Sequence, residues 1–131
     1  MLFRSLQSPL GKVRGLGSAG NGVHHWWVQR LTAIALVPLA IWLLVSLASL
    51  PSLDFVTLVS WIGGTWTASL LTVFVLTASW HSRLGVQVII EDYVHDHGLK
   101  TTSLVLSGFV HVLLAALGVF AVLRIAFGSP L

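Results

Sequence analysis

Residues 56–93 read VTLVSWIGGTWTASLLTVFVLTASWHSRLGVQVIIEDY, and this stretch decides the fold. No charged side chain occurs from Val56 to Trp80, and then His81 and Arg83 appear while apolar residues continue on both sides. An apolar run of this length is long enough to cross a lipid bilayer as a helix. An ionisable residue at membrane depth is costly, so His81 is a candidate for a functional role.

One face of the predicted helix carries a distinct set of residues. At 3.6 residues per turn, the residues that share this face are Phe74, Ala78, His81, Gly85, Val88 and Asp92. Because Gly85 has no side chain, a flat ring or another helix can approach the backbone one turn below the imidazole.

The composition of the chain is typical of a membrane protein. Of its 131 residues, 56% are hydrophobic and only 8% are charged, whereas soluble domains carry about 25% charged residues. We therefore predict an all-α integral membrane protein that forms a single domain over residues 1–131. There is no cysteine, which excludes disulfides, thiolate metal sites and cysteine-ligated clusters. No basic cluster or nucleic-acid-binding motif is present, so we expect no nucleic-acid partner.

The hydropathy pattern predicts three transmembrane helices, at about residues 29–50, 57–90 and 103–127. The pair Gly63-Gly64 predicts a break or a close helix contact near the start of the second span. Residues 1–20 are rich in Gly, Ser and Pro and are predicted to form an irregular cytoplasmic arm. Asn21 is predicted to cap an amphipathic, aromatic segment that leads into the first span.

The positions of the basic residues predict the orientation. Four of them precede the first span and one lies in the polar loop between the second and third spans, whereas the first loop has none: they are Arg4, Lys12, Arg14, Arg30 and Lys100. By the positive-inside rule, the amino terminus and the second loop are cytoplasmic and the carboxyl terminus lies on the opposite side. We expect a bacterial cytoplasmic membrane, with the mitochondrial inner membrane as the alternative.

Two histidines are predicted at similar depth in neighbouring antiparallel spans, His81 in the second and His111 in the third. Either could form a helix–helix hydrogen bond, as polar residues in membranes commonly do. Alternatively, His81 could be an axial ligand of haem iron, paired with His111 or with a histidine of another subunit. A proton relay is a third interpretation.

Other polar residues have a structural and a functional interpretation. Arg30 is either a positive-inside anchor or a partner of an anionic cofactor group, and Arg83 either snorkels to the headgroups or pairs with an acid. Asp92 and Tyr93 are either ordinary interfacial residues or a quinone site, because a phenol can donate to a quinone carbonyl. The segment His95-Asp96-His97 is expected to be exposed polar loop.

Two segments together resemble the smaller hydrophobic anchor subunit of succinate dehydrogenase. The first is the run His-x-x-x-Gly at residues 81–85, followed by Asp92-Tyr93 eleven residues after the histidine. The second is Asn21-Gly22-Val23-His24 with Gln29-Arg30-Leu31-Thr32-Ala33 at the entry to the first span. The three-span layout agrees with this resemblance.

The resemblance implies a complex of a flavoprotein, an iron–sulfur subunit and two membrane anchors that passes electrons from succinate to ubiquinone or menaquinone. It implies that His81 binds the iron of haem b, with the second ligand supplied by the other anchor. It also implies that Tyr93 binds the quinone, that Asp92 lies beside it and that Arg30 lies near the haem propionates. The chain would then be a subunit of an enzyme with no catalytic residue of its own.

Three alternatives stay open at this point. Fumarate reductase anchors share the architecture, and the sequence does not fix the direction of electron flow. A self-contained small cytochrome b would use His81 and His111 together. A transport subunit without haem would use His81, Arg83 and Asp92 as a proton or ion relay.

Overall fold

The computed structural model describes residues 9–13 and 19–128, and within these ranges the chain is helical and has no strand. The helices are α1 (Pro9–Val13), α2 (Ala19–Ala48), α3 (Phe55–Gly63), α4 (Thr65–Tyr93) and α5 (His97–Phe127). Helices α2, α4 and α5 are long and apolar enough to cross a membrane. The prediction of an all-α protein with three spans is therefore confirmed, and the chain is a multi-pass membrane protein.

The amino-terminal region is more helical than predicted. Helix α1 lies inside the arm that was expected to be irregular, and Pro9 is its first residue. A proline suits that position because its fixed φ fits the first turn and its missing N–H would have had no helical partner. Helix α2 begins at Ala19, so Asn21 lies in the first turn and the prediction that it caps the helix is wrong. The other residues of the arm lie outside the described ranges.

The break predicted at Gly63-Gly64 is confirmed, since it separates α3 from α4. The start of α3 is fixed by Asp54, whose carboxylate accepts a hydrogen bond from the Thr57 amide at 2.8 Å. The Ser52 hydroxyl also donates to this carboxylate. These hydrogen bonds, that of Ser52 foremost, hold the pKa of Asp54 below its ordinary value because they stabilise the charged form.

The third membrane helix begins earlier than hydropathy indicates. We predicted it from residue 103, after a polar loop, but α5 starts at His97. Asp96 is its N-cap and accepts a hydrogen bond from the Leu99 amide at 2.7 Å, which starts the helix while the chain is still polar. Hydropathy marks the part of a helix that suits the bilayer, whereas the cap marks where the helix begins.

Helix α4 is the centre of the bundle. It packs against α2 and against α5, while α2 and α5 do not pack on each other, and α3 packs beside α4 and α5. The tightest approach is at Gly118 of α5, where an added Cβ would lie 2.8 Å from Val75 Cγ1 of α4. Because both neighbours contact α4, its side chains are the ones placed to meet partners from two helices.

Little of the described chain is buried. Only Ala68, Leu84 and Val122 form a core, and most large apolar side chains of the three long helices are exposed. In a membrane protein such side chains face lipid or other subunits, since lipid tails accept apolar surface at no cost.

Candidate functional site

His81 faces α2. Its Nδ1 lies 2.9 Å from Oγ1 of Thr32, forty-nine positions away in the sequence. The ring is half-buried between the two helices. The predicted placement of this imidazole on a packed face of α4 is therefore what the structure has.

The hydrogen bonds of Thr32 indicate which nitrogen of His81 carries the proton. The Thr32 hydroxyl donates its hydrogen to the carbonyl oxygen of Val28, 2.9 Å away. The carbonyl oxygen of Gln29 lies 3.0 Å from the same hydroxyl and shares this hydrogen. A hydroxyl has one hydrogen and two lone pairs, so its oxygen accepts from His81 Nδ1–H. In that tautomer Nε2 carries a lone pair, and it has no hydrogen-bond partner among residues 9–13 and 19–128.

These residues fit one axial position of a haem. Iron is bound by a neutral imidazole nitrogen whose ring partner donates a hydrogen bond elsewhere, and His81 has this arrangement. One turn further along α4, a Cβ added at Gly85 would meet nothing within 4 Å, so there is open space on the same face. The described part of the chain contains no group of three or more potential metal ligands.

Arg30 lies on α2 two residues before Thr32, or about 3 Å along the helix axis. Its backbone is therefore close to the level of Thr32, although residues two apart on a helix project from nearly opposite faces. Arg30 is exposed and stacks on the Trp26 ring at 5.4 Å, and it makes no ion pair with the carboxylates of the described ranges. Its charge is thus available to an anion that another molecule brings.

His111 is held by its own chain. Its Nδ1 lies 2.7 Å from the backbone oxygen of Ser107, to which it donates, and its Nε2 lies 3.1 Å from Oγ of Ser82 on α4. Since Nδ1 carries the proton, Nε2 accepts from the Ser82 hydroxyl. Both nitrogens are engaged, and this geometry favours the helix–helix hydrogen bond over iron ligation.

Arg83 points toward α5 rather than toward the face of His81. Its guanidinium lies 5.3 Å from the Trp80 ring, and Nη2 lies 3.6 Å from where a Cβ on Gly108 would stand. A cavity of about 470 Å³ opens beside it, lined also by Gln87 and Ser107. Arg83 is therefore half-buried against α5, and it makes no ion pair with the described carboxylates.

The carboxyl-terminal end of α4 carries Asp92 and Tyr93, both exposed and without a side-chain hydrogen bond to the described residues. Glu91 next to them is fixed: Gln87 Nε2 donates to its carboxylate at 2.8 Å, and Lys100 Nζ donates to its backbone oxygen at 3.0 Å. Twelve residues separate Tyr93 from His81, which is about 18 Å of helix. The phenol and the imidazole therefore belong to two separate places on one helix.

The loop after α4 has a structural role. Asp96 caps α5, and His95 and His97 on either side of it are exposed, as predicted for this segment.

Sequence reasoning gave no role to Thr32 and Ser82, the two hydroxyls that hold the histidines. The signal for Thr32 was present: it has the only hydroxyl between Arg30 and Ser46 in an otherwise apolar stretch. Ser82 carries no comparable signal, because serines and threonines recur along α4 and commonly bond their own helix backbone.

The chain matches known proteins over most of its length. The family model described as succinate dehydrogenase/fumarate reductase transmembrane subunit matches residues 4–123. A succinate dehydrogenase hydrophobic membrane anchor subunit of Rickettsia bellii is 37% identical over 95 residues, covering 72% of this chain and 75% of the relative. That of Paracoccus denitrificans is 26% identical over 122 residues, covering 93% and 94%. A succinate dehydrogenase membrane anchor subunit of Reclinomonas americana is 33% identical over 89 residues, covering 66% and 74%. The chain therefore belongs to the family of succinate dehydrogenase and fumarate reductase transmembrane subunits.

Proposed function

We propose that this chain is the membrane anchor subunit of a succinate:quinone oxidoreductase in which His81 is an axial ligand of haem b. The observation that carries the proposal is the Nδ1 contact of His81 with Thr32, which leaves the Nε2 lone pair for iron. Family membership supports the anchor role, and the geometry of the ring supports the ligand role.

When bound, haem b supplies a one-electron centre within the membrane. His81 supplies one iron ligand, and the second comes from the other membrane anchor, as the resemblance to succinate dehydrogenase anchors implies. Arg30 neutralises a propionate, a role that the resemblance implies and that its lack of a carboxylate partner among the described residues supports.

The quinone site lies at the cytoplasmic end of α4. Tyr93 donates its phenolic hydrogen to a quinone carbonyl, and Asp92 beside it assists proton delivery. Reduction of a quinone to a quinol takes up two electrons and two protons, so a site at the wet end of the helix suits the chemistry. Both side chains are exposed in the isolated chain, where partner subunits would complete the pocket.

The partners follow from this role. The chain anchors a flavoprotein and an iron–sulfur subunit, and it packs against a second anchor in the lipid bilayer. The proposed setting is the bacterial cytoplasmic membrane with the amino terminus inside. Electrons from succinate reach ubiquinone or menaquinone, and no catalytic residue for succinate oxidation resides in this chain.

A His81→Ala substitution tests the haem assignment in the intact, detergent-solubilised complex. We expect the reduced-minus-oxidised haem b spectrum to be lost or strongly weakened, because iron loses one of its two axial ligands. His95→Ala is the matched control, since His95 is exposed in the loop after α4. An unchanged spectrum in the His81 variant would rule out the ligand role.

A Tyr93→Phe substitution tests the quinone assignment. The variant keeps the ring and removes the donor, so we expect a fall in quinone reduction while succinate oxidation by a soluble dye is retained. The two assays are made on the same preparation, and the dye rate is the internal control for assembly. Equal losses in both assays would contradict a role for Tyr93 at the quinone.

A further inference from the structure

We infer that Thr32 is a positioning residue for the His81 ligand: its hydroxyl oxygen accepts the Nδ1–H hydrogen bond, fixes the plane of the ring and lowers the haem potential. This inference rests on the proposed function, because it concerns how the chain holds its own iron ligand. Thr32 touches the imidazole and not the iron.

The contact is defined on both sides. The Thr32 hydroxyl is 2.9 Å from the Val28 oxygen and 2.9 Å from His81 Nδ1, so one atom serves as donor to its own helix and as acceptor for the ring. In the opposite tautomer Nε2 would carry the hydrogen, and it has no acceptor among the described residues, which is costly for a donor held away from water. The arrangement therefore selects the ring state that iron requires before iron is bound.

The contact also orients the ring. A histidine side chain rotates about two bonds. A single hydrogen bond from Nδ1–H to an acceptor on a neighbouring helix fixes the direction in which Nε2 points. Thr32 reaches His81 from α2, so the ring direction depends on how α2 packs against α4. Holding the ring in this way lowers the entropy that would be lost on binding a rigid macrocycle.

The hydrogen bond has an electronic effect as well. Donation from Nδ1–H increases the basicity of the imidazole, and a more basic axial ligand stabilises ferric over ferrous iron. Removal of the acceptor should therefore raise the midpoint potential. A merely structural threonine would leave the potential and the ring orientation unchanged.

The test compares Thr32→Val, which has the same shape without the hydroxyl, with Thr32→Ser, which keeps it. The matched control is Thr72→Val, because Thr72 is half-buried in α4 and its hydroxyl bonds only its own backbone, at Ala68 O. All variants are measured in the intact solubilised complex. The readouts are haem content per complex, the midpoint potential from redox titration and the g-values of the ferric haem by paramagnetic resonance.

We expect Thr32→Val to raise the midpoint potential, shift the g-values and weaken haem retention by about 10–100-fold. Thr32→Ser and Thr72→Val should keep wild-type values. If the valine variant does not assemble, Thr32→Ala is compared with Thr32→Ser by the same readouts. Wild-type potential and g-values in the variant without the hydroxyl would overturn the inference.

The two proposals fail in distinguishable ways. Haem that persists in His81→Ala would overturn the ligand assignment and this inference with it. Haem that is lost in His81→Ala but unchanged in potential and g-values in Thr32→Val would overturn the role of Thr32 alone.

Discussion

His81 and His111, the two histidines predicted at similar depth, differ in the hydrogen bonds that their ring nitrogens make. His81 has one nitrogen held by Thr32, whereas both nitrogens of His111 are held, by Ser107 and Ser82. An imidazole can bind iron only through a lone pair that no other donor occupies. In the proposed function, the Ser82 hydroxyl on Nε2 of His111 is what distinguishes this histidine from the ligand His81.

We predict that His111→Ala keeps the haem b spectrum and reduces the stability of the complex. The loss removes the Ser82 hydrogen bond between α4 and α5, and such bonds in membranes average about 0.6 kcal/mol in double-mutant cycles. A thermal unfolding cycle with Ser82→Ala should return a coupling energy of that order. Disappearance of the haem spectrum in His111→Ala would instead favour a cytochrome that uses both histidines.

At the residue scale, the sequence predicts which side chains share a face of one helix but not which side chains meet between helices. Spacing places His81, Gly85 and Asp92 on one face of α4, while the roles of Asp92, Tyr93 and Arg30 stay predictions. The role of His111 follows from its contact with Ser82, which comes directly after His81 and lies on another face of α4. A single sequence contains helix periodicity but not the pairing of faces, so the contact between residues 32 and 81 could not be deduced from it.

Among the elements, the contact between α4 and α5 depends on one glycine. An added Cβ at Gly118 would stand 2.8 Å from Val75 Cγ1 and 3.5 Å from Cγ2, so there is no room for a methyl group. Small residues let membrane helices approach closely, which strengthens their dispersion contacts. The position of Ser82 opposite His111 depends on this approach, because both lie on the same pair of helices.

We predict that Gly118→Ala lowers the melting temperature of the complex. Overpacking costs about 1–3 kcal/mol and outweighs the gain of up to about 1 kcal/mol in helix propensity. A second change, Val75→Ala, should restore most of the loss by vacating the space. Gly22→Ala is the control, because a Cβ there meets nothing within 4 Å. An equal melting temperature for Gly118→Ala and the control would mean that the helices separate without cost.

Element boundaries show where sequence reasoning works and where it stops. The Gly63-Gly64 pair marked a real break, because glycine is a poor helix former. The start of α5 was missed by several residues since Asp96, an N-cap residue type, was assigned to a loop on hydropathy. The start of α2 differs as well: the sequence predicts a cap at Asn21, whereas the helix begins two residues earlier, at Ala19.

For the whole molecule, the open arrangement of the helices explains why the chain is a subunit. Helix α4 lies between α2 and α5, which do not close on each other, and only three side chains in the described ranges are buried. The face of α4 that carries Gly85 is open beside His81. In the proposed complex the second anchor covers this face, and the other iron ligand would enter there.

We predict that this chain, purified without its partner anchor, shows no low-spin haem b spectrum, and that co-expression of the partner anchor restores it. The proposed function takes one iron ligand from His81 and the other from the partner anchor, and His111 is engaged at both of its nitrogens. Absorbance of the reduced and oxidised forms measures the haem, and circular dichroism of the lone chain verifies that it is helical. A helical lone chain with a full low-spin spectrum would show that both ligands lie within it and would contradict this prediction.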